Sequence, residues 1–391
     1  MEWVRLGDLG KIITGNTPSK KNLEFYKTKD IPFIGPSDIK NFREVNHIYE
    51  SEDFISHIAR SKARIVPKNS ILVTCIGNIG KVGKVEIEEI AFNQQINAII
   101  VEEQNFDVDY LLYALIFNQK RLEVISNAPV VPIINKTAFS DFKIKIDKSI
   151  RNQKHISKCL NFISELIILR KQQIQAYDDL IESLFFEIIN KSPINEVSFD
   201  DMFEIIDGDR GKNYPKKNDL LEEGYCLFLN TKNVTKTGFK FDQQEFITKE
   251  KDEKLRKGRA KIGDFILTTR GTVGNIAYIN ENIEFKNIRI NSGMVILRKK
   301  LIINPKFFEV LIRKTNILSK AKSGSAQPQL PIKSLKKVLI PTVDIELQNK
   351  FADYVIKIEE EKKELNSSLK ELEDLFDALM QDAFSGNLFK D

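Results

Sequence analysis

The sequence predicts an α/β (α+β) chain in which two mixed, β-rich globules are joined by two long α-helices. Three observations predict it. Shifted by about 194 residues, the chain lies over itself with gaps of only one or two residues. A period of that size marks a duplicated domain, because solenoid repeats run roughly 20–50 residues. Each copy opens with short β-branched and aromatic runs, such as SILVTCI, NAIIV and FKIKI, broken by Gly, Pro and Asn. Each copy closes with a segment free of Gly and Pro that reads as one helix.

The predicted segments are a first globule at 1–149, a first long helix at 150–190, a second globule at 191–341, and a second long helix with its tail at 342–391. Length alone, 391 residues, suggests two or three domains. The 42% apolar content supports packed cores. No apolar run approaches the ~20 residues needed to span a membrane. MEWVRLGDLG has neither a basic start nor an apolar stretch, so no secretory signal is expected. Cys75, Cys159 and Cys226 lie far apart and form no ligand spacing with His47, His57 and His155. The expectation is a reducing cytoplasm, free thiols and no metal.

Net charge is +5, but its distribution says more. Residues 1–150 carry 20 Lys+Arg against 19 Asp+Glu, and residues 195–341 carry 28 against 18. Residues 342–391 carry 6 against 13. A basic globule followed by an acidic helix implies a polyanion surface in one place and a different contact in the other.

The repeat decides how one suggestive loop is read. VRLGDLGKIITG (Val4–Gly15) faces VSFDDMFEIIDG (Val197–Gly208), FIGPSDI (Phe33–Ile39) faces FLNTKNV (Phe228–Val234), and LVTCIGNIGKVG (Leu72–Gly83) faces ILTTRGTVGNIA (Ile266–Ala277). Taken alone, TCIGNIGKVGK resembles a phosphate loop, but five residues rather than four separate Gly77 from Gly83, and Val85 replaces Ser or Thr. Gly77 and Gly80 recur as Gly271 and Gly274, while Lys81 becomes Asn275 and Lys84 becomes Tyr278. What both copies share is backbone shape: strand, tight glycine turn, strand. What differs, including Ile76 against Arg270, is free to carry specificity.

The two helices are matched. Steps of four and three give Ile156, Leu160, Ile163, Ile167, Arg170, Ile174, Tyr177, Ile181, Leu184 and Ile188 in the first. The second gives Phe351, Val355, Ile358, Lys362, Leu365, Leu369, Leu372, Phe376, Leu379 and Ala383. That is a coiled-coil seam with one polar position each, Arg170 and Lys362, a device that fixes register. The alternative is that each helix packs only on its own globule.

This arrangement resembles the specificity subunit of type I restriction–modification enzymes. The resemblance covers essentially the whole chain and rests on LGDLGKIITGNTPS, the two glycine turns, NQQI at Asn93–Ile96, the helix start RNQKHI, and the ending LMQDAFSGNLF. Each string is degenerate; their order, duplication and two heptad helices are specific together. The first helix lacks the SGNLF tail of the second, and the proline-led start at Pro341 has no match before the first. The resemblance implies two target recognition domains that each read half of a split double-stranded DNA sequence. It implies helices packed as an antiparallel coiled coil with pseudo-twofold symmetry, setting the gap and docking two methyltransferase subunits and, in a restriction complex, two restriction subunits. No cofactor is expected in this chain; S-adenosylmethionine belongs to the methyltransferase partner, and ATP and Mg to a restriction subunit. A helix from Ile156 to Ile188 is about 50 Å long at 1.5 Å per residue, against about 34 Å per turn of duplex. The acidic face at Glu359, Glu360, Glu361, Glu371, Glu373 and Asp374 is one candidate docking surface.

Candidate DNA contacts fall in loops. In the first globule they are Thr14, Asn16, Lys20, Lys21, Lys62, Arg64, Asn78, Lys81, Asn93, Gln94 and Gln95. In the second they are Arg210, Lys212, Asn213, Lys254, Arg256, Lys257, Arg259, Arg270, Asn275 and Arg289. Lys and Arg suit phosphates, Asn and Gln suit adenine edges, and Arg suits guanine. Against this stand solvated surface charge for any one cation and an ordinary strand-end turn for Asn93–Gln95. Two rival functions remain at this point. One is a stand-alone methyltransferase or nuclease, which lacks a G-x-G loop and an [NDS]-P-P-[YF] tetrapeptide, NAPV at Asn127 being the nearest string. The other is a scaffold whose globules bind proteins.

Overall fold

The computed structural model describes residues 1–40, 46–126, 132–324 and 328–388. NAPV at Asn127 and the terminal Phe389 of the SGNLF tail lie outside the described residues. The chain divides into two compact units, 1–172 with 366–391, and 173–365. These cut across the segments read from sequence: each unit takes one globule and half of each long helix. The physical reason is that each helix half completes the apolar core of the globule beside it, and so is counted with that globule.

In the first unit, Gly10–Thr14, Ile96–Val101, Ser70–Thr74 and Val82–Val85 form a sheet in that spatial order, joined edge to edge by antiparallel pairing. SILVT at Ser70–Thr74 is buried at every residue, as expected of a strand covered on both faces. A second sheet runs Phe54–Ile55, Ile31–Ile34, Glu89–Phe92, Ile65–Pro67, with a parallel pair at its centre. Glu2–Arg5 pairs with Lys143–Ile146, whose KIKI alternates exposed and buried with the period of two that a half-covered strand requires. The helical stretch read as Asp109–Leu122 is two helices, Val108–Phe117 and Gln119–Val124. The break falls at Asn118, whose backbone N–H at 3.2 Å and side-chain amide at 2.8 Å both donate to Ala114 O and close the first helix.

The second unit repeats this plan. Phe203–Asp207, Met294–Lys299, Phe265–Thr268 and Ile276–Tyr278 reproduce the first sheet in the same order. Phe246–Ile247, Cys226–Leu229, Ile288–Ile290 and Arg259–Ala260 reproduce the second, again with a central parallel pair. Asn195–Ser198 pairs with Leu339–Thr342, and Pro305–Lys314 stands where Val108–Phe117 stands. One difference concerns the sheet edge. In the first unit Asn46–Ile48 adds a fifth, parallel strand to Val82–Val85. In the second the equivalent strand, Ile276–Tyr278, is met by side chains: Arg313 donates to Ile276 O at 3.1 Å and the Glu309 carboxylate accepts from the Tyr278 amide.

The long helices span Ile150–Lys191 and Ile345–Ser385. Each begins on a buried glutamine. Gln153 accepts from Asp107 N at 2.8 Å and donates to Asp147 O at 2.7 Å. Gln348 does the same with Asn304 N at 2.9 Å and Val343 O at 2.8 Å. Within the first unit, Ile156, Leu160 and Ile163 share a core with Phe376, Met380 and Ala383, and Lys171 pairs with Glu373 at 3.1 Å. Within the second, Asp178 meets Lys362 at 2.5 Å and Phe185 packs edge-on against Phe351. In each unit, one helix ascends as the other descends, so the halves pair antiparallel. Ile167, Ile174, Tyr177, Leu184, Leu365, Leu369, Leu372 and Leu379 are half-buried, and Ile181, Val355 and Ile358 are buried. The acidic face is less free than its sequence suggests, since Glu359 is held by Lys306 at 2.8 Å and Glu373 by Lys171.

Candidate nucleic-acid interface

The paired glycine turns are built alike. Thr74 takes its hydroxyl into the turn, donating to Asn78 O at 2.5 Å and accepting from Lys81 N at 3.0 Å. Thr268 bonds Thr272 O and accepts from Asn275 N at 3.0 Å. Gly77 and Gly80 have φ of +77° and +81°, and Gly271 and Gly274 +70° and +98°, a region costly for any residue with a Cβ. The turn is structural in its glycines, and its side chains at Ile76/Arg270 and Asn78/Thr272 vary on that frame.

A second turn lies beside it. Asn93 accepts from Gln95 N at 2.9 Å, and Asn291 accepts from Gly293 N at 2.9 Å. Gln95 O receives Cys75 N at 2.7 Å, as Gly293 O receives Thr269 N at 2.8 Å, so the asparagine turn is stitched to the glycine turn. The loop leaving the first strand of each main sheet presses on the same place. A Cβ on Gly15 would lie 2.1 Å from Asn93 O, and one on Gly208 2.3 Å from Asn291 O. Thr17 then donates to Gln94 at 2.7 Å, and Arg210 reaches Ser292 O at 3.4 Å.

That loop also holds a basic segment. In the first unit Asn16 donates to Lys62 O at 2.6 Å and accepts from Arg64 N at 2.7 Å, leaving the Lys62 and Arg64 side chains exposed. In the second unit two residues share the task. Asn213 donates to Lys254 O at 3.2 Å, and Asp209 accepts from Arg256 N at 2.7 Å. Burial would raise the Asp209 carboxyl, but the amides of Gly211 and Arg256 outweigh it and hold the group below the usual carboxylate range.

Each copy therefore brings four of its segments together on one edge. The exposed side chains there are Lys62, Arg64, Asn78 and Gln94 in the first unit, with Lys20 and Lys21 exposed on the loop beyond Thr17. In the second they are Arg210, Lys212, Lys254, Arg256, Lys257 and Arg270. Arg210 is partly held by Asp207 at 3.1 Å.

Other candidates serve the frame. Thr14 bonds Asn97 at 2.7 Å, and Lys81 donates to Ile39 O at 3.0 Å. Asn275 donates to Val234 O at 2.9 Å. Asn16, Asn93, Gln95 and Asn213 spend their amides on the backbone bonds and turn contacts of the same edge. Arg259 is half-exposed and paired with Asp252. Arg289 corrects the sequence reading most clearly: it is buried against the fully buried Asp252, and a guanidinium enclosed there does not reach a base or phosphate. Asp209 and Asp252 were missed because acidic residues are not sought at a polyanion surface; Gly208 just before Asp209 and Gly211 two residues after it were the available signal. Among the described residues no group of three or more metal-ligating side chains occurs, and no helix is long and apolar enough to cross a membrane. The buried thiols of Cys75 and Cys226 are each pushed up to about 12 by burial.

Fold and edges together define a class: a duplicated protein whose two globules present the same turn framework with different free side chains. The chain belongs to the type I restriction modification DNA specificity domain family, whose model matches residues 1–176 and 191–374. It is 30% identical over 204 residues to the EcoR124I/EcoR124II specificity subunit of Escherichia coli, covering 47% of this chain and 48% of that one. It is 34% identical over 145 residues to the HindI specificity subunit of Haemophilus influenzae, covering 37% and 31%. The chain thus spans about half the length, or less, of these curated relatives. Its fold is that of the S subunit of a type I restriction-modification system from M. genitalium, with TM-score 0.58 and 17% identity over 98% of this chain and 96% of that one. A chain from a study of complex assembly and conformational transition of the type I R-M system gives 0.60 and 15% over 99% and 98%.

Proposed function

We propose that this chain is the non-catalytic subunit that sets the DNA sequence specificity of a type I restriction–modification complex, reading a split target with one half-site per globule. The observation that carries this reading is the pair of equivalent edges, alike in Thr74/Thr268, Asn93/Asn291 and Gly15/Gly208 yet different in the side chains they leave free. A shared frame with different free donors is what reading two unrelated half-sites requires, since backbone contacts position a protein on DNA while side chains at base edges specify. The excess of ten positive charges in residues 195–341, 28 against 18, supports a polyanion partner. The long helices hold the two readers at a set spacing and dock two methyltransferase subunits, which carry S-adenosylmethionine; ATP and Mg act in restriction subunits where those are present. The working compartment is the cytoplasm, where the DNA lies.

Selection from a random-sequence duplex pool tests this. The chain with its methyltransferase partner should enrich two short half-sites separated by an unspecified gap. Enrichment of one uninterrupted motif, or of none, refutes the reading. The chain alone should transfer no radiolabel from a methyl donor.

A further inference from the structure

The basic segment of the second unit is organised from beneath by a buried guanidinium. Arg289 Nε donates to the Asp252 carboxylate, Nη2 donates to Asp252 O at 2.8 Å and Leu255 O at 3.0 Å, and Nη1 donates to Lys257 O at 2.6 Å. The chain from 252 to 257 therefore wraps around one side chain. Further carbonyls of the segment are also engaged: Asn213 takes Lys254 O, and Ile290 N takes Gly258 O at 2.9 Å. Leu255 is buried with Cys226, Phe228 and Ile247, which points Lys254, Arg256 and Lys257 outward. Gly258, at φ +86°, closes the wrap, and a Cβ there would sit 3.2 Å from Gly208 Cα.

We infer that Arg289, fixed by Asp252, is a positioning residue that presents Lys254, Arg256 and Lys257 to DNA phosphates without touching DNA itself. The inference rests on the proposed DNA-reading function. A loop carrying these three cations and left unheld would lose conformational entropy on binding. Arg289 removes that cost beforehand, because one planar fork bonded to three carbonyls fixes the backbone from which the cations project. Among its described residues the first unit has no such clamp. Phe228 faces Arg289 across the parallel pair, and its counterpart Phe33 faces Ala91. There the basic pair is held by Asn16, with an exposed Arg60–Glu89 ion pair nearby.

The test measures binding of the full-length chain to a short random-sequence duplex as a function of salt. The triple variant Lys254→Ala, Arg256→Ala, Lys257→Ala should lower the slope of log K against log salt by about 0.9 for each phosphate it no longer neutralises. Arg289→Lys keeps the charge but loses the fork; its unfolding midpoint should fall because buried carbonyls lose their donor. The chain should nonetheless stay folded at the binding temperature, and the slope should drop by at least one such step. Added to the triple variant, Arg289→Lys should lower the slope no further. If Arg289→Lys does not fold, Asp252→Asn, isosteric with the carboxylate, carries the same comparison. A reduced slope in the triple variant with a wild-type slope in Arg289→Lys overturns the clamp and leaves the DNA-reading function standing. Additive effects overturn it as well. An unchanged slope in the triple variant overturns both.

Discussion

The two globules teach by contrast, because the same frame is finished differently in each. In the first unit the main sheet ends in a fifth strand, Asn46–Ile48; in the second, Arg313 and Glu309 occupy the equivalent edge groups. In the first unit a neutral amide, Asn16, holds the basic pair; in the second, an aspartate, an asparagine and a buried ion pair hold a longer basic segment. Features that recur are those that fix backbone: the turn threonines, the left-handed glycines, the helix-start glutamines. Features that diverge are the exposed side chains those fixtures hold out, together with the partners beneath them, such as the buried Arg289–Asp252 pair of the second unit. Duplication thus separates scaffold from recognition within one chain, without reference to any other sequence.

The largest effects should appear where the copies agree. Replacing Gln153 or Gln348 by Leu removes two hydrogen bonds and strands a backbone N–H and C=O in each case. Each variant should lose about 2–4 kcal/mol in chemical denaturation, since an unsatisfied buried group costs ~1–3 kcal/mol. Near-equal losses would establish the glutamines as one device used twice; a loss in one alone would break the equivalence.

Effects on reading should instead be confined to one copy. Arg270 is exposed, and its amide is held by Gly293 O at 3.1 Å. Its counterpart Ile76 bridges Ile133. Arg270→Ala should relax discrimination at a guanine of one half-site by about 1–3 kcal/mol, read from selected sequences, with the other half-site intact. A change in both half-sites would refute independent reading.

A subtler contrast lies inside the turns. A Cβ on Gly80 would lie 2.6 Å from Gln119 Cγ, whereas one on Gly274 meets nothing nearer than 3.8 Å. Both positions carry the left-handed backbone cost of roughly 1–2 kcal/mol, but only Gly80→Ala must also move a buried side chain. It should destabilise by about 1–2 kcal/mol more than Gly274→Ala in matched melts.

Much of this was legible beforehand, and the reasons are physical. A tight turn with positive φ demands glycine, so Gly77, Gly80, Gly271 and Gly274 announced themselves by recurring. Heptad spacing pointed to one apolar face on each long helix, because burial along a helix is periodic; the buried positions Phe185, Met380 and Phe384 fall outside the steps read from sequence. The frame was also readable in order, since VRLGDLGKIITG and VSFDDMFEIIDG become the same strands of the same sheets. Side-chain fate was not readable. Arg289 and Arg256 look alike in sequence, yet one is enclosed by carbonyls and the other is exposed, a difference set by partners more than thirty residues away. Asn275, within a turn expected to read DNA, is instead spent on Val234 O. Short loops specify their path through long-range pairing, which single-sequence patterns do not carry.

The smallest contrast concerns acid. Asp109 in the first unit and Glu309 in the second are both shielded from water, on helices that occupy the same place in the two plans. Burial pushes each carboxyl upward, but the outcomes differ. At Asp109 the bonds from Lys84 at 2.8 Å and Asn161 at 2.9 Å overcome burial, and the group is held below its ordinary value. At Glu309 burial prevails over Arg313 and Lys306, and the carboxyl is raised. The signs follow from linkage. Asp109 contributes stability that is present above its unfolded value, near 3.9, and lost as pH falls through its lower folded value. Glu309 contributes stability that is complete below its unfolded value, near 4.3, and lost as pH rises through its higher folded value. Asp109→Asn should therefore cost stability near neutrality and flatten the acid limb of the unfolding midpoint against pH. Glu309→Gln should relieve the penalty near neutrality and leave that limb in place. Comparing the two profiles with wild type checks both signs at once, and parallel profiles for the two variants would show that the buried acids are not distinguished by their partners.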